Sequence, residues 1–239
     1  MKRLLGALAA AALAGCASGP DRDPRDPLEP WNRAVYQLND TIDRAVARPV
    51  AEGYRRVVPG GVRDRVRNFF ANIADPVIGV NNVLQGKLED GFLDAMRFVF
   101  NSTLGLFGLH DVASQMGLEK HNEDFGQTFG RWGVGAGPYL VLPFFGSSDL
   151  RDGVGFVGDI YADPLSRVRP HDVQYLMYGV RFTQTRTDLL DASRILEQAA
   201  LDKYTFQRDA YLQRRRSLVY DGRPPRDLEL EDEMEKPTR

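Results

Sequence analysis

The sequence predicts a mainly α-helical protein, and three observations carry that prediction. Apolar residues recur at steps of three and four along most of the 239 residues, the spacing that gathers them on one face of a helix. No convincing run of alternating apolar and polar residues, the signature of a half-buried strand, appears anywhere. A glycine-rich apolar middle, residues 105–158, holds twelve of the 23 glycines and separates two helical halves. The composition is globular, with 43% hydrophobic and 27% charged residues. A formal net charge of −2, from 31 basic and 33 acidic side chains, gives no electrostatic footprint for nucleic acid. One cysteine excludes an internal disulfide framework and a multi-cysteine zinc site. GxSxG, HExxH, P-loop and EF-hand patterns are missing, and Gly133-Val134-Gly135-Ala136-Gly137 lacks the spacing of a dinucleotide fingerprint. No catalytic residue, metal or cofactor is therefore expected.

Taken in order, the chain opens with Lys2 and Arg3, the apolar run Leu4 to Leu13, and Ala14-Gly15. This is the order of a secretory signal, and it is too short to span a bilayer. Leu13-Ala14-Gly15-Cys16 looks like a bacterial lipobox, which implies removal of residues 1–15 and acylation of Cys16. Each buried methylene of an acyl chain adds about 0.8 kcal/mol, so several chains hold a protein on a membrane almost permanently. Ala17, in place of an aspartate, follows the cysteine and points to the outer membrane. Residues 16–27 then form the lipidated cysteine and a proline-rich extended tether.

From Leu28 the pattern is helical, with Trp31, Val35, Leu38, Ile42 and Val46 on one stripe. Arg48-Pro49 breaks it, a short helix covers Val50 to Val57, and Pro59-Gly60-Gly61 turns the chain. Val62, Val66, Phe69, Phe70 and Ile73 mark a third helix, with Arg63, Arg65 and Arg67 on its solvated face. Asp75-Pro76 and Asp163-Pro164 each read as an aspartate N-cap followed by proline at the first helical position. Another amphipathic helix runs from Lys87 to Leu104 through Leu88, Phe92, Ala95, Met96 and Val99.

Two stretches carry no formal charge, Phe98 to Leu109 and Trp132 to Ser148. Glycines and prolines in the second would break a lipid-exposed helix, so it cannot cross a bilayer alone. It suits either a re-entrant or interfacial element packed on helices, or a buried loop. Beyond His171 the pattern is helical to about Tyr220, in two pieces, with Arg214, Arg215 and Arg216 placed to cap a helix end or to meet anionic headgroups. Residues 28–222 are thus read as the folded domain. Residues 223–239, with six acidic residues in the nine from Asp227 to Glu235, are read as a disordered acidic tail.

These residues resemble the MlaA/VacJ family of outer-membrane phospholipid-transport lipoproteins. The resemblance starts at Asp26-Pro27-Leu28-Glu29-Pro30-Trp31-Asn32-Arg33 and runs through Arg48-Pro49-Val50, Asp75-Pro76 and Asn82-Val83-Leu84-Gln85-Gly86. It continues with Phe100-Asn101-Ser102-Thr103-Leu104-Gly105 and Asp111-Val112-Ala113. It is densest over Phe125-Gly126-Gln127-Thr128-Phe129-Gly130, Gly133 to Tyr139, Leu142-Pro143 and Leu150-Arg151-Asp152. Each piece alone is weak; their order over more than a hundred residues behind a lipobox is specific.

The resemblance implies a single ring of amphipathic helices seated in one leaflet of the outer membrane, lipid-anchored on the periplasmic side. It implies association with a trimeric porin, and an amphipathic channel that takes misplaced phospholipid to a soluble periplasmic lipid carrier. On this reading Phe98, Leu106, Phe107, Leu140, Val141, Phe144 and Phe145 face acyl chains. Two rival readings differ in class. A lipase or acyltransferase would need His110-Asp111 or His171-Asp172 with a distant serine. A structural lipoprotein would brace porins or the cell wall without moving lipid.

Overall fold

The computed structural model describes residues 23–225; the signal sequence, Cys16, tether residues 17–22 and the acidic run 226–239 lie outside the described residues. Helix α1 (Glu29–Ile42) passes into a π-helical turn (Asp43–Ala47) and then α2 (Arg48–Val57). The expected break at Arg48-Pro49 is therefore absent. Pro49 follows directly on the π-helical turn, and the helix continues through it with one backbone bond forgone. Helix α3 (Gly60–Leu84) is longer than the apolar stripe suggested and contains Pro76 in its interior. Asp75-Pro76 does not start a helix. The Asp75 carboxylate is turned inward to Lys120 instead of back onto the chain's own amides, and the helix gives up one backbone bond at Pro76.

Helix α4 (Leu88–Thr103) matches its expected bounds within a residue. Two short helices follow, α5 (Val112–Gln115) and α6 (Phe125–Arg131), each capped by an aspartate. Asp111 accepts from the Ser114 N–H, and Asp124 from the Gln127 N–H at 2.8 Å. The uncharged stretch then forms a hairpin absent from the sequence reading. Its strands β1 (Tyr139–Leu142) and β2 (Gly146–Asp149) pair antiparallel with Tyr139 opposite Asp149 and Leu142 opposite Gly146. Asp149 caps α7 (Leu150–Ala162), accepting from Asp152 N–H at 2.7 Å. Asp163-Pro164 behaves as expected, opening a 3-10 turn (Pro164–Arg167) with the carboxylate on the Leu165 N–H. The C-terminal half has three helices rather than two: α8 (His171–Asp188), α9 (Leu190–Ala199) and α10 (Lys203–Val219).

A small apolar core ties the chain ends together. Val35 of α1, Tyr139 and Val141 of β1, and Tyr204 of α10 pack with Tyr36, Tyr211 and Leu212. The Tyr36 and Tyr204 rings meet edge-on at 5.7 Å. Asn32 completes the free edge of β1 as a strand would: its amide donates to Tyr139 O at 3.0 Å and its carbonyl accepts from Val141 N–H at 2.8 Å. Buried Asp26 accepts from Asn32, Tyr204 and Arg208 and fastens residues 23–28 to that edge. Among the described residues no helix is long and apolar enough to cross a membrane.

Candidate functional site

Helix α4 is amphipathic, but its polar face points inward. Leu88, Phe92 and Val99 are exposed, while Gly91, Asp94, Arg97 and Asn101 are buried. Phe92 is 64% exposed and Asp94, two residues on, 0%. A protein surrounded by water places these faces the other way. Across the described residues, buried polar and charged side chains outnumber buried apolar ones.

The polar interior is held by hydrogen bonds among most of its groups, with Asp75 Oδ2, Asn82 Oδ1 and Arg97 Nε buried without one. Asn82 on α3 donates to Asp94 at 2.7 Å, and His121 meets the other Asp94 oxygen at 3.0 Å. Arg97 donates to Asp111 at 2.9 and 3.0 Å and to Ser114 at 3.0 Å, while Asn101 donates to Asp111 at 3.0 Å and accepts from the Ala113 N–H at 2.9 Å. Thr128 on α6 donates to Asn81 at 2.7 Å. Helices α3 and α4 cross closely enough for this only because Gly79 and Gly91 face each other. A Cβ on Gly91 would lie 2.9 Å from Gly79 O and 2.6 Å from Val83 Cγ2. Burial raises the Asp75 carboxyl above its usual range against the pull of Lys120. At Asp124 burial also acts upward, but the Arg215 guanidinium outweighs it and holds the carboxyl low.

The hairpin separates two spaces of different character, one with mixed walls and one almost wholly apolar. On one side lies an open cavity of about 230 Å³ bordered by α1, α8, α9 and α10, with both apolar and charged walls. Asp43 and Arg186 pair across it at 2.6 Å, Glu197 is held by Arg48 at 3.0 Å, and Lys203, Ser193 and Gln207 complete the polar lining. On the other side lies a groove of about 470 Å³ between β1 and α7, lined by Leu140, Leu142, Leu150, Val154, Val157 and Tyr161. The period of two along β1 produces the division: Tyr139 and Val141 point inward, Leu140 and Leu142 outward.

Six of the seven residues expected to face lipid are at least partly open. Phe107 is 78%, Phe144 69% and Phe145 67% exposed; Leu106 is exposed, Phe98 marginally so, and Leu140 half-buried in the groove. Val141 is the correction, because strand alternation buries it in the small core. Leu106, Phe107 and Phe144 adopt positive φ of 54°, 59° and 68°, a conformation costing about 1–3 kcal/mol for a residue with a Cβ. Hydrogen bonds hold it at two of them: Phe107 N–H donates to Ser102 O at 3.0 Å, and Phe144 N–H to the side-chain Oδ1 of Asn39 at 2.8 Å.

Each basic triplet has one member tied into a structural ion pair. Arg215 bridges Asp124 and Asp152, and Arg67 clasps Asp188 at 2.9 Å. Of the histidine–aspartate pairs, Asp111 is engaged by Arg97, and His171 contacts Arg169, Gln174 and the Tyr175 ring. The sequence reading missed the inward stripe Asp94–Arg97–Asn101, although its steps of three and four were visible. It also missed the cavity wall, whose members come from segments far apart in the chain.

Comparison with known proteins places this architecture. Residues 24–218 match the family model described as MlaA lipoprotein. The chain is 39% identical over 232 residues to the intermembrane phospholipid transport system lipoprotein MlaA of Escherichia coli (strain K12), covering 93% of this chain and 91% of that one. It is 34% identical over 224 residues to the protein of the same description from Haemophilus influenzae, covering 90% and 89%. A solved structure described as "Structural basis for maintenance of bacterial outer membrane lipid asymmetry" superposes with a TM-score of 0.72 at 35% identity, over 83% of this chain and 100% of that chain.

Proposed function

The chain belongs to the MlaA lipoprotein family, and from that premise we propose that it removes misplaced phospholipid from the outer leaflet of the outer membrane and so maintains lipid asymmetry. Its relatives are described as components of an intermembrane phospholipid transport system. Cys16, acylated, anchors it on the periplasmic side. A trimeric porin holds it in place, and a soluble periplasmic carrier receives the lipid.

The observation that carries this reading is the hairpin standing between a cavity with both polar and apolar walls and an apolar groove. A phospholipid leaving its leaflet must move a charged headgroup past hydrocarbon, where an unpaired charge is very costly. The cavity wall, with Arg186, Ser193 and Gln207, offers the headgroup hydrogen-bonding partners along the way. The acyl chains stay against apolar surface such as the groove of Leu140, Leu142 and Val154. No bond in the lipid breaks, and the downhill flow needs no group that turns over.

The test fills the cavity without touching the outer face. Ser193→Trp in a deletion strain should fold and reach the membrane yet leave phospholipid in the outer leaflet, read by a membrane-impermeant amine reagent on intact cells. Normal asymmetry with the cavity filled would overturn the passage. Normal asymmetry in the deletion strain itself, with altered wall attachment, would establish the bracing role instead.

A further inference from the structure

We propose that Lys203 is the group in the cavity that binds the phosphate of a glycerophospholipid headgroup; this rests on the transport reading above and deepens it. The charges bordering the cavity are mostly neutralised within the protein. Asp43 is clasped by Arg186 through Nε and Nη2 at 2.6 and 2.8 Å. Glu197 is paired with Arg48 at 3.0 Å, and Asp40 with Arg44 at 2.6 Å. Lys203 borders the same space, half-buried, and among the described residues no carboxylate lies within ion-pair distance of it. Its neighbour Asp202 is fully engaged elsewhere, accepting from the Tyr204 and Thr205 N–H groups, the Thr205 hydroxyl and Arg33. Among the described residues one cation of the cavity border therefore remains to face whatever enters.

Helix stability does not account for a lysine at this point. Lys203 is the first residue of α10, the end at which the helix dipole favours an anion and disfavours an ammonium. Nor does the cap need it, since Asp202 already serves the first amides. An ammonium at the edge of an otherwise neutral cavity attracts a singly charged phosphodiester, such as phosphatidylethanolamine and phosphatidylglycerol carry. The neutral pairs around it admit an ethanolamine or glycerol substituent without a repelling charge. The lysine is a binding residue, and no proton or bond is transferred.

The experiment uses the full lipidated chain in nonionic detergent, with a short-chain phosphatidylethanolamine as titrant and inorganic phosphate as the parallel probe. Losing one charge-assisted hydrogen bond should weaken lipid binding roughly tenfold in Lys203→Met. Lys203→Glu should weaken it further, and Lys203→Arg should restore it. Melting should not fall in Lys203→Glu, because an acid at the first helical position suits the dipole, so weaker binding there cannot be ascribed to unfolding. Equal lipid affinity in Lys203→Met and the parent would overturn the assignment. So would inorganic phosphate binding as tightly as the lipid, which would make the ligand a free anion. If Lys203→Met transports normally while Ser193→Trp does not, the passage stands and this assignment falls.

Discussion

Replacing Arg97 with methionine tests whether the polar interior is what holds the helices together. Arg97 is 2% exposed and lies among Asp111, Ser114, the Leu118 carbonyl and, at 4.0 Å, Asp75. Methionine fills much of the volume but leaves Asp111 without the guanidinium nitrogen that meets both its oxygens, and Asp75 with Lys120 alone. Breaking a buried pair from one side costs about 3–5 kcal/mol. Asp111 keeps Asn101 and the Ser114 contacts and is part-exposed, so about 3 kcal/mol is expected. In a domain of this size that lowers the melting midpoint by roughly 6–12 °C, read by circular dichroism in nonionic detergent. Phe92→Ser, on the outward face of the same helix, should change stability by no more than about 0.5 kcal/mol there. A protein with an ordinary apolar core would respond in the opposite order. If Arg97→Met melts with the parent while Phe92→Ser loses many degrees, the inverted arrangement is wrong.

Three further outcomes follow from the same structure. Burial pushes Asp159 up to about 6 from its ordinary 3.8 although it accepts from the Phe125 N–H. The folded state then holds a proton that the unfolded state has lost, and stability falls as pH rises across that window. Asp159→Asn should melt above the parent at neutral pH by about 1–2 kcal/mol after allowing for solvent screening, with the gap closing toward pH ~4; a gap independent of pH would refute the cause. Gly91→Ala, whose Cβ would meet Gly79 O and Val83, should cost about 1–3 kcal/mol by forcing α3 and α4 apart, seen as a lower melting midpoint; an unchanged midpoint would show that the crossing has slack. Phe144→Asp with Phe145→Asp should free the delipidated chain from its need for detergent, measured by sedimentation without it; unchanged aggregation would show that these rings do not seat the protein.

How far the sequence reaches depends on what each signal measures. Periodicity located α4 within a residue, because a step of three to four is set by the backbone and not by the surroundings. It could not say whether Phe92 faced a core or a lipid, since both produce the same stripe. The partners of Asp94, Arg97 and Asn101 decide that, and Asp111, Leu118 and His121 lie in loops without periodicity. Asp75-Pro76 looked like a helix start because local chemistry favours it, but the tertiary pull of Lys120 and Arg97 on Asp75 prevailed. The hairpin strands are four residues each, too short for alternation to stand out, which is why the expectation that Val141 faces lipid fails. The family resemblance found the right protein class, but the hydrogen bonds show why its polar residues face inward.

Depth-dependent quenching of a single tryptophan by lipids brominated along their acyl chains tests the inverted arrangement most directly. The full lipidated chain, with Trp31 and Trp132 replaced by phenylalanine, is placed in vesicles bearing either Phe144→Trp or Ser193→Trp. The reporter at 144 should emit at short wavelength and be strongly quenched by the bromines, while the reporter at 193, inside the cavity and away from the outer face, should be quenched little. Water-like, unquenched emission at 144, or stronger quenching at 193 than at 144, would contradict it.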